Sequence, residues 1–245
     1  MSSSPKAVDG RRGIAMRVVL TVAATLVLGA VMVGLGWLVV HPLAHLWPLS
    51  AEDAVDRTLA AHRDPGLNAL TGDLSTVADT PCTVLLAAAA ILGARRALHR
   101  WRESLFIAAA LAIEPAVFLA TTVFVHRPRP AGVELDHSPP TSSFPSGHTA
   151  AAVALYGALA WLIARQTRRA YAWCLLLMPA AVGFARLYRD MHHPSDVAAG
   201  LLLGMCALVI ARRALLEPDP RAARTVARAA PARRGAVGAV PGGRR

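Results

Sequence analysis

The chain has 245 residues, of which 55% are apolar and only 17% charged, with a formal net charge of +11. That balance is too apolar for a soluble chain of this length and points to a membrane protein. Its basic residues lie between and after apolar runs instead of forming one surface interleaved with aromatics, which argues against nucleic acid as a partner.

Residues 1–15 form a basic N-terminal tail, and the apolar run 16–40 follows it. This run is longer than the apolar region of a signal peptide and lacks a small-x-small cleavage site, so it is expected to stay as a span. The acidic connection 41–76 follows. Within it Ser50-Ala51-Glu52-Asp53 has the spacing of a capping box, which would leave Val55 and Leu59 on one apolar face. Asp64-Pro65-Gly66 should break that helix, and a second short one should follow through Leu67, Leu70 and Leu74. Both are expected to form a connector lying on the membrane surface.

Five further apolar segments, 77–94, 104–125, 148–164, 171–187 and 195–211, approach the length of about 20 helical residues that a bilayer core demands. All are predicted helical, because an open strand leaves its backbone polar groups unsatisfied in lipid. Glu114, beside Pro115 in the third segment, is expected to face the bundle interior. Cys82, Cys174 and Cys206 fall inside apolar stretches without metal-ligand spacing and read as small buried hydrophobes. The fold class is therefore all-α: a polytopic membrane protein whose six-transmembrane-helix bundle occupies 16–211. Residues 212–245, rich in Arg, Ala, Pro and Gly, are expected to form a disordered basic tail.

With both termini in the cytoplasm, Lys6, Arg11, Arg12, Arg17, Arg95, Arg96, Arg100, Arg102, Arg165, Arg168, Arg169 and the arginines from Arg212 onward all lie inside. Only Arg57, Arg63, Arg127, Arg129, Arg186 and Arg189 are left outside, so the positive-inside rule supports this topology. Four of those exceptions sit in two extracytoplasmic loops dense in phosphate-handling residues. One loop runs from His126-Arg127-Pro128-Arg129-Pro130 to Phe144-Pro145-Ser146-Gly147-His148-Thr149. The other runs from Ala185-Arg186 through Arg189-Asp190-Met191-His192-His193 to Asp196.

A phosphate monoester is a dianion that needs several fixed donors, and arginine forks supply them two at a time. Ser146 and Gly147 fall where the fourth helix should begin, so their backbone N–H groups and the helix dipole can converge on one anion. A histidine nucleophile must be neutral and a histidine acid protonated, so the chemistry needs two histidines in different settings. A carboxylate four residues after His192 can serve its tautomer. On spacing alone, His192 and Asp196 could equally be a local ion pair or metal ligands. His126 and His193 read as solvated loop residues, and Tyr188 and Arg189 as a gate or as solvated loop.

These motifs resemble the signature of the type 2 phosphatidic acid phosphatase family: Lys-x6-Arg-Pro, Pro-Ser-Gly-His, and Ser-Arg-x5-His-x3-Asp. The second part is intact at Pro145-Ser146-Gly147-His148. The third matches at Arg186, His192 and Asp196, with Ala185 in place of Ser. The first matches only at Arg129-Pro130, with Thr122 where Lys is usual. The resemblance implies a phosphohydrolase of lipid phosphates or diphosphates, such as phosphatidate or undecaprenyl diphosphate, without metal or other cofactor. It implies His192 as nucleophile forming a phosphohistidine, Asp196 as the group orienting its ring, and His148 as the acid for the leaving alcohol. Arg129, Arg186, Ser146 and Gly147 would hold the phosphoryl group, and Arg127 is a candidate to replace charge that Thr122 does not supply. The partners implied are a lipid phosphate and the bilayer of a bacterial plasma membrane, with the site on the extracytoplasmic face; nothing in the sequence marks an oligomeric state. Thr122 and Ala185 are the departures that would favour an inactive lipid-binding protein, and a phosphotransferase is the alternative on the same scaffold.

Overall fold

A computed structural model describes residues 5–136 and 141–217. Among these residues are the helices α1 (Pro5–Val40), α2 (Glu52–Ala61), α3 (Pro65–Ala78), α4 (Thr80–Leu98), α5 (Trp101–Phe124), α6 (Gly147–Thr167), α7 (Leu177–Tyr188) and α8 (Pro194–Leu215). Short 3-10 turns at Leu49–Ala51 and Ala170–Leu176 lead into α2 and α7. Six stretches are long and apolar enough to cross a membrane: Gly13–Val40, Thr80–Leu98, Trp101–Phe124, Gly147–Thr167, Ala170–Tyr188 and Pro194–Leu215. The chain is an all-α integral membrane protein.

Small residues at every fourth position bring the central helices together. Ala150, Ala154, Ala158 and Leu162 of α6 face Ala199, Leu203, Ala207 and Ala211 of α8, and the same buried core takes in Phe106, Ile107, Ala110 and Val117 of α5 and Leu28, Met32 and Val39 of α1. Rows at i and i+4 are the ridges along which helices pack, and small side chains let lipid-embedded backbones approach closely. Gly200 and Gly204 take this furthest. A Cβ at Gly204 would lie 2.6 Å from the Ala150 carbonyl oxygen, and one at Gly200 would press on the Ser146 carbonyl oxygen. Two glycines on α8 thus seat it against the start of α6, where Pro145-Ser146-Gly147-His148 lies. At the opposite end, Arg17 donates to the carbonyl oxygens of Ala214 and Glu217, and Arg102 to that of Leu215, so arginines cap the carbonyl terminus of α8.

The span boundaries lie close to those expected, with differences that have local causes. α1 begins at Pro5, inside the expected tail, and α8 runs four residues past 211; of the tail itself, residues 218–245 lie outside the described residues. The fifth span starts as a 3-10 turn, and its α-helix begins two residues before Pro179, whose missing N–H is harmless only in a first turn. Glu114 is buried on the row Ala110, Glu114, Val117, Thr121 of α5, as expected. The cysteines are not buried: Cys174 is exposed and the other two are partly covered. A bundle in lipid can turn such a small apolar side chain outward without penalty.

The connection 41–76 departs most from expectation. α2 and α3 form and are separated at Asp64-Pro65-Gly66, where the Asp64 side chain accepts from the Leu67 N–H. However, Ser50 does not cap α2, and the buried residues are polar: Glu52 and Asp56 on α2, Thr71 and Ser75 on α3. Val55 and Leu70 point outward instead. Both helices turn their polar faces inward, because that is where the arginines and histidines of the loops wait. Both pack against α7.

Candidate active site

The start of α6 is stitched to the start of α8. Ser146 is fully buried, and its N–H donates to the Asp196 carbonyl oxygen at 2.9 Å. Its hydroxyl is paired with the Thr149 hydroxyl at 2.9 Å and does not cap the helix. The first-turn N–H groups of α6, from Gly147 onward, are left facing the site with the positive end of the helix dipole behind them.

His192 lies beside this junction, 4% exposed. Its Nδ1 is 2.7 Å from the carbonyl oxygen of Ser143. Since a carbonyl only accepts, Nδ1 carries the proton and Nε2 holds the free lone pair. Burial lowers the His192 pKa well below its ordinary value, and the charges of Arg186, Arg129 and His148 add to this against the Ser143 hydrogen bond. The ring is therefore neutral, and those same charges define what surrounds it.

Asp196 makes no direct hydrogen bond to the ring; its nearest oxygen is 3.9 Å from His192 Nδ1. Its Oδ2 accepts from the Ser143 hydroxyl and from the His193 N–H at 2.9 Å, and its Oδ1 from Arg127. With both oxygens filled by these bonds, Asp196 fixes Ser143, whose carbonyl in turn fixes the ring.

The arginines separate into two groups. Arg186 is 3% exposed, donates through Nη1 to Ser75 at 2.6 Å and Asp136 at 2.9 Å, and has a buried Nε with no partner. Arg129 donates to the Met191 carbonyl oxygen at 2.6 Å, and the field of its guanidinium reaches His192. Arg127 does not join them. Its guanidinium is taken up by Glu52 at 2.6 Å, by Asp196 and by the Ser195 hydroxyl at 2.7 Å, so it faces carboxylates instead of an incoming anion. Nor does Thr122 help, since its hydroxyl is returned to the Leu119 carbonyl oxygen. His148 Nε2 is 2.9 Å from Oδ1 of Asp79, which lies at the boundary between α3 and α4.

Three residues read from the sequence as solvated loop, or in the case of Tyr188 and Arg189 as either a gate or solvated loop, are structural. Arg189 is buried and donates to Asp136, Asn68, Thr71 and Leu135. Tyr188 is buried, and its hydroxyl accepts from the Asp64 N–H. His193 is buried against Asp56 at 2.7 Å. Burial alone would lower the His193 pKa, but the hydrogen bond to Asp56 and the nearby carboxylates outweigh it and raise it. Burial likewise works to raise the Asp136 pKa, and the hydrogen bonds from Arg189 and Ser75 with the charge of Arg186 outweigh it, so this carboxyl stays ionised.

Glu52, Asp56, Asp79, Asp136 and Ser143 were not anticipated from the sequence. For Glu52 and Asp56 the one signal was the excess of acids in the connection 41–76. Asp53, Asp56 and His193 bring ligand-type atoms within 4.8 Å of one another, but the His193 nitrogen is already engaged by Asp56, which makes this an ion pair.

Residues 103–217 match the model of the PAP2 superfamily. Over 64 residues the chain is 41% identical to the bacitracin transport permease protein BcrC of Bacillus licheniformis; the aligned stretch is 26% of this chain and 29% of that protein. The crystal structure of the first transmembrane PAP2 type phosphatidylglycerolphosphate phosphatase from Bacillus subtilis has the same fold, with a TM-score of 0.64. It is 20% identical in sequence, and the match covers 79% of this chain and 93% of that one.

Proposed function

We propose that this chain, whose residues 103–217 match the model of the PAP2 superfamily, hydrolyses the phosphate ester or diphosphate of a membrane lipid on the extracytoplasmic side. The observation that carries this is the state of His192: neutral, with Nδ1–H given to Ser143 and Nε2 free among Arg129, Arg186 and His148. A buried neutral imidazole in the field of two guanidinium cations is a nucleophile awaiting an anion.

Nε2 of His192 attacks phosphorus as the P–O bond to the lipid breaks, giving a phosphohistidine. The leaving oxygen takes a proton from His148 in its imidazolium form, the form that the bound phosphate dianion and the Asp79 carboxylate favour, and His148 is left neutral. Water then attacks phosphorus, gives a proton to His148, and breaks the P–N bond to release inorganic phosphate. Arg186, Arg129 and the N–H groups at the start of α6 stabilise charge on the phosphoryl oxygens in both steps. The substrates of this class that fit are phosphatidate-like monoesters and undecaprenyl-diphosphate-like lipids, presented from the bilayer.

The test is phosphate release by detergent-purified protein in EDTA from phosphatidate and from undecaprenyl diphosphate. Wild type should turn over one of them, and His192→Ala and His148→Ala should each lose at least about 10³-fold in rate. Equal release by wild type and His192→Ala would sink the proposal.

A further inference from the structure

The polar face of α2 presents Glu52 and Asp56 one helical turn apart, both buried. Each grips a residue next to the catalytic pair in sequence. Glu52 Oε1 accepts from the Ser195 N–H at 2.6 Å, and its Oε2 from the Ser195 hydroxyl at 3.1 Å and Arg127 at 2.6 Å. Asp56 holds His193 at 2.7 Å. Ser195 precedes Asp196, and His193 follows His192. A third tie lies just beyond α2, where Arg63 donates to the Tyr188 carbonyl oxygen at 3.1 Å and the Asp64 N–H to the Tyr188 hydroxyl.

We infer that α2 is a positioning clamp for the nucleophile, in which Glu52 and Asp56 hold the segment 192–196 in register with the start of α6. This rests on the hydrolytic reading of the site. Glu52 and Asp56 lie N-terminal to the stretch that carries the family match. Neither touches His192; they act through its chain neighbours. Glu52 also turns Arg127 onto Asp196, and so fills the oxygen of Asp196 that Ser143 and His193 leave unused. Without Glu52, the Arg127 guanidinium loses half of its anionic partners and the first turn of α8 loses its acceptor. Because a displacement of about 1 Å in reacting groups can cost about 10²-fold in rate, a clamp of this kind acts on kcat and leaves substrate binding alone.

The experiment uses the full chain in detergent, comparing wild type with Glu52→Ala, Glu52→Gln, Asp56→Ala, the Glu52→Ala/Asp56→Ala double variant and, on the outer face of α2, Arg57→Ala. Two quantities are read: kcat and KM for phosphate release from phosphatidate or undecaprenyl diphosphate micelles, whichever the wild type turns over, and amide hydrogen exchange of the segment 189–197. The double variant should lose about 10²-fold in kcat with KM changed less than about threefold, and should exchange faster in 189–197 while α5 is unaffected. Glu52→Gln, which keeps one acceptor oxygen for Ser195, should fall between wild type and Glu52→Ala, and serves if Glu52→Ala does not fold. Arg57→Ala should match wild type. Unchanged exchange in 189–197, unchanged kcat, or a loss confined to KM overturns the clamp. If wild type releases no phosphate, the hydrolytic reading fails, and exchange in 189–197 still decides whether α2 holds the segment.

Discussion

Arg186 and Asp136 form an ion pair at 2.9 Å, so the guanidinium best placed to hold a phosphoryl group already carries a carboxylate. Asp136 shares its other oxygen with Arg189 at 2.6 Å. The Arg186 Nε, buried and unpartnered, is a donor still available to an incoming anion. An ionised Asp136 therefore competes with phosphate for part of the same group. Asp136→Asn should lower the concentration of inorganic phosphate needed for half inhibition by about tenfold, equivalent to about 1.4 kcal/mol. Inhibition at the wild-type concentration or above it would show that Asp136 supports Arg186 without competing.

Opposite pH dependences are expected from the neighbouring histidines. The folded-state pKa of His192 lies well below its unfolded value of about 6.5. The unfolded chain therefore binds the extra proton, and this group subtracts stability as pH falls below about 6.5. The His193 pKa is raised, so its pairing with Asp56 stabilises fully below about 6.5 and is lost as pH climbs through the folded value. Thermal unfolding in detergent from pH 5 to 9 checks both. His192→Gln should flatten the acid-side fall in Tm, whereas the deficit of His193→Gln should be largest at low pH and shrink toward pH 9.

Gly200→Ala and Gly204→Ala should each destabilise the fold by about 1–3 kcal/mol, since each new methyl meets backbone that cannot move aside. Gly200→Ala should cost kcat as well, because the carbonyl it displaces belongs to Ser146. Gly29→Ala is the contrast: nothing lies within 4 Å of its would-be Cβ, so helix propensity makes it neutral or stabilising by up to about 1 kcal/mol. Tm and kcat of the three variants, compared in one detergent, decide the matter.

Thr122 sits near the end of α5 with its hydroxyl bonded back into the helix, and it supplies no charge to the site. Restoring the lysine of the family pattern with Thr122→Lys should raise kcat/KM about 10²-fold to 10³-fold, the usual worth of one such donor. A rate at or below wild type would mean that the arginines already saturate the anion site.

Much of this protein was legible without coordinates. Six spans, the break at Asp64-Pro65-Gly66 and the inward placement of Glu114 follow from hydropathy and turn chemistry, which are local properties of the chain. The meeting of His148, Arg186 and His192 was also foreseeable, because two loops on one side of a membrane that both carry phosphate-binding residues have few other places to gather. Arg127 and His193 were read wrongly in part for one reason. Their partners are Glu52 and Asp56, and Glu52 is 143 residues from the Ser195 it holds. No periodicity records such pairs.

The connection between the first two spans shows the same division most plainly. Sequence determined that α2 and α3 would be helices and where the turn between them would fall. Which face of each would be buried was decided by the tertiary structure. An amphipathic helix beside a soluble core hides its apolar side, but beside a cluster of buried arginines and histidines the electrostatic cost of unpaired charge is larger. Here that cost turned Glu52 and Asp56 inward and left Val55 outside.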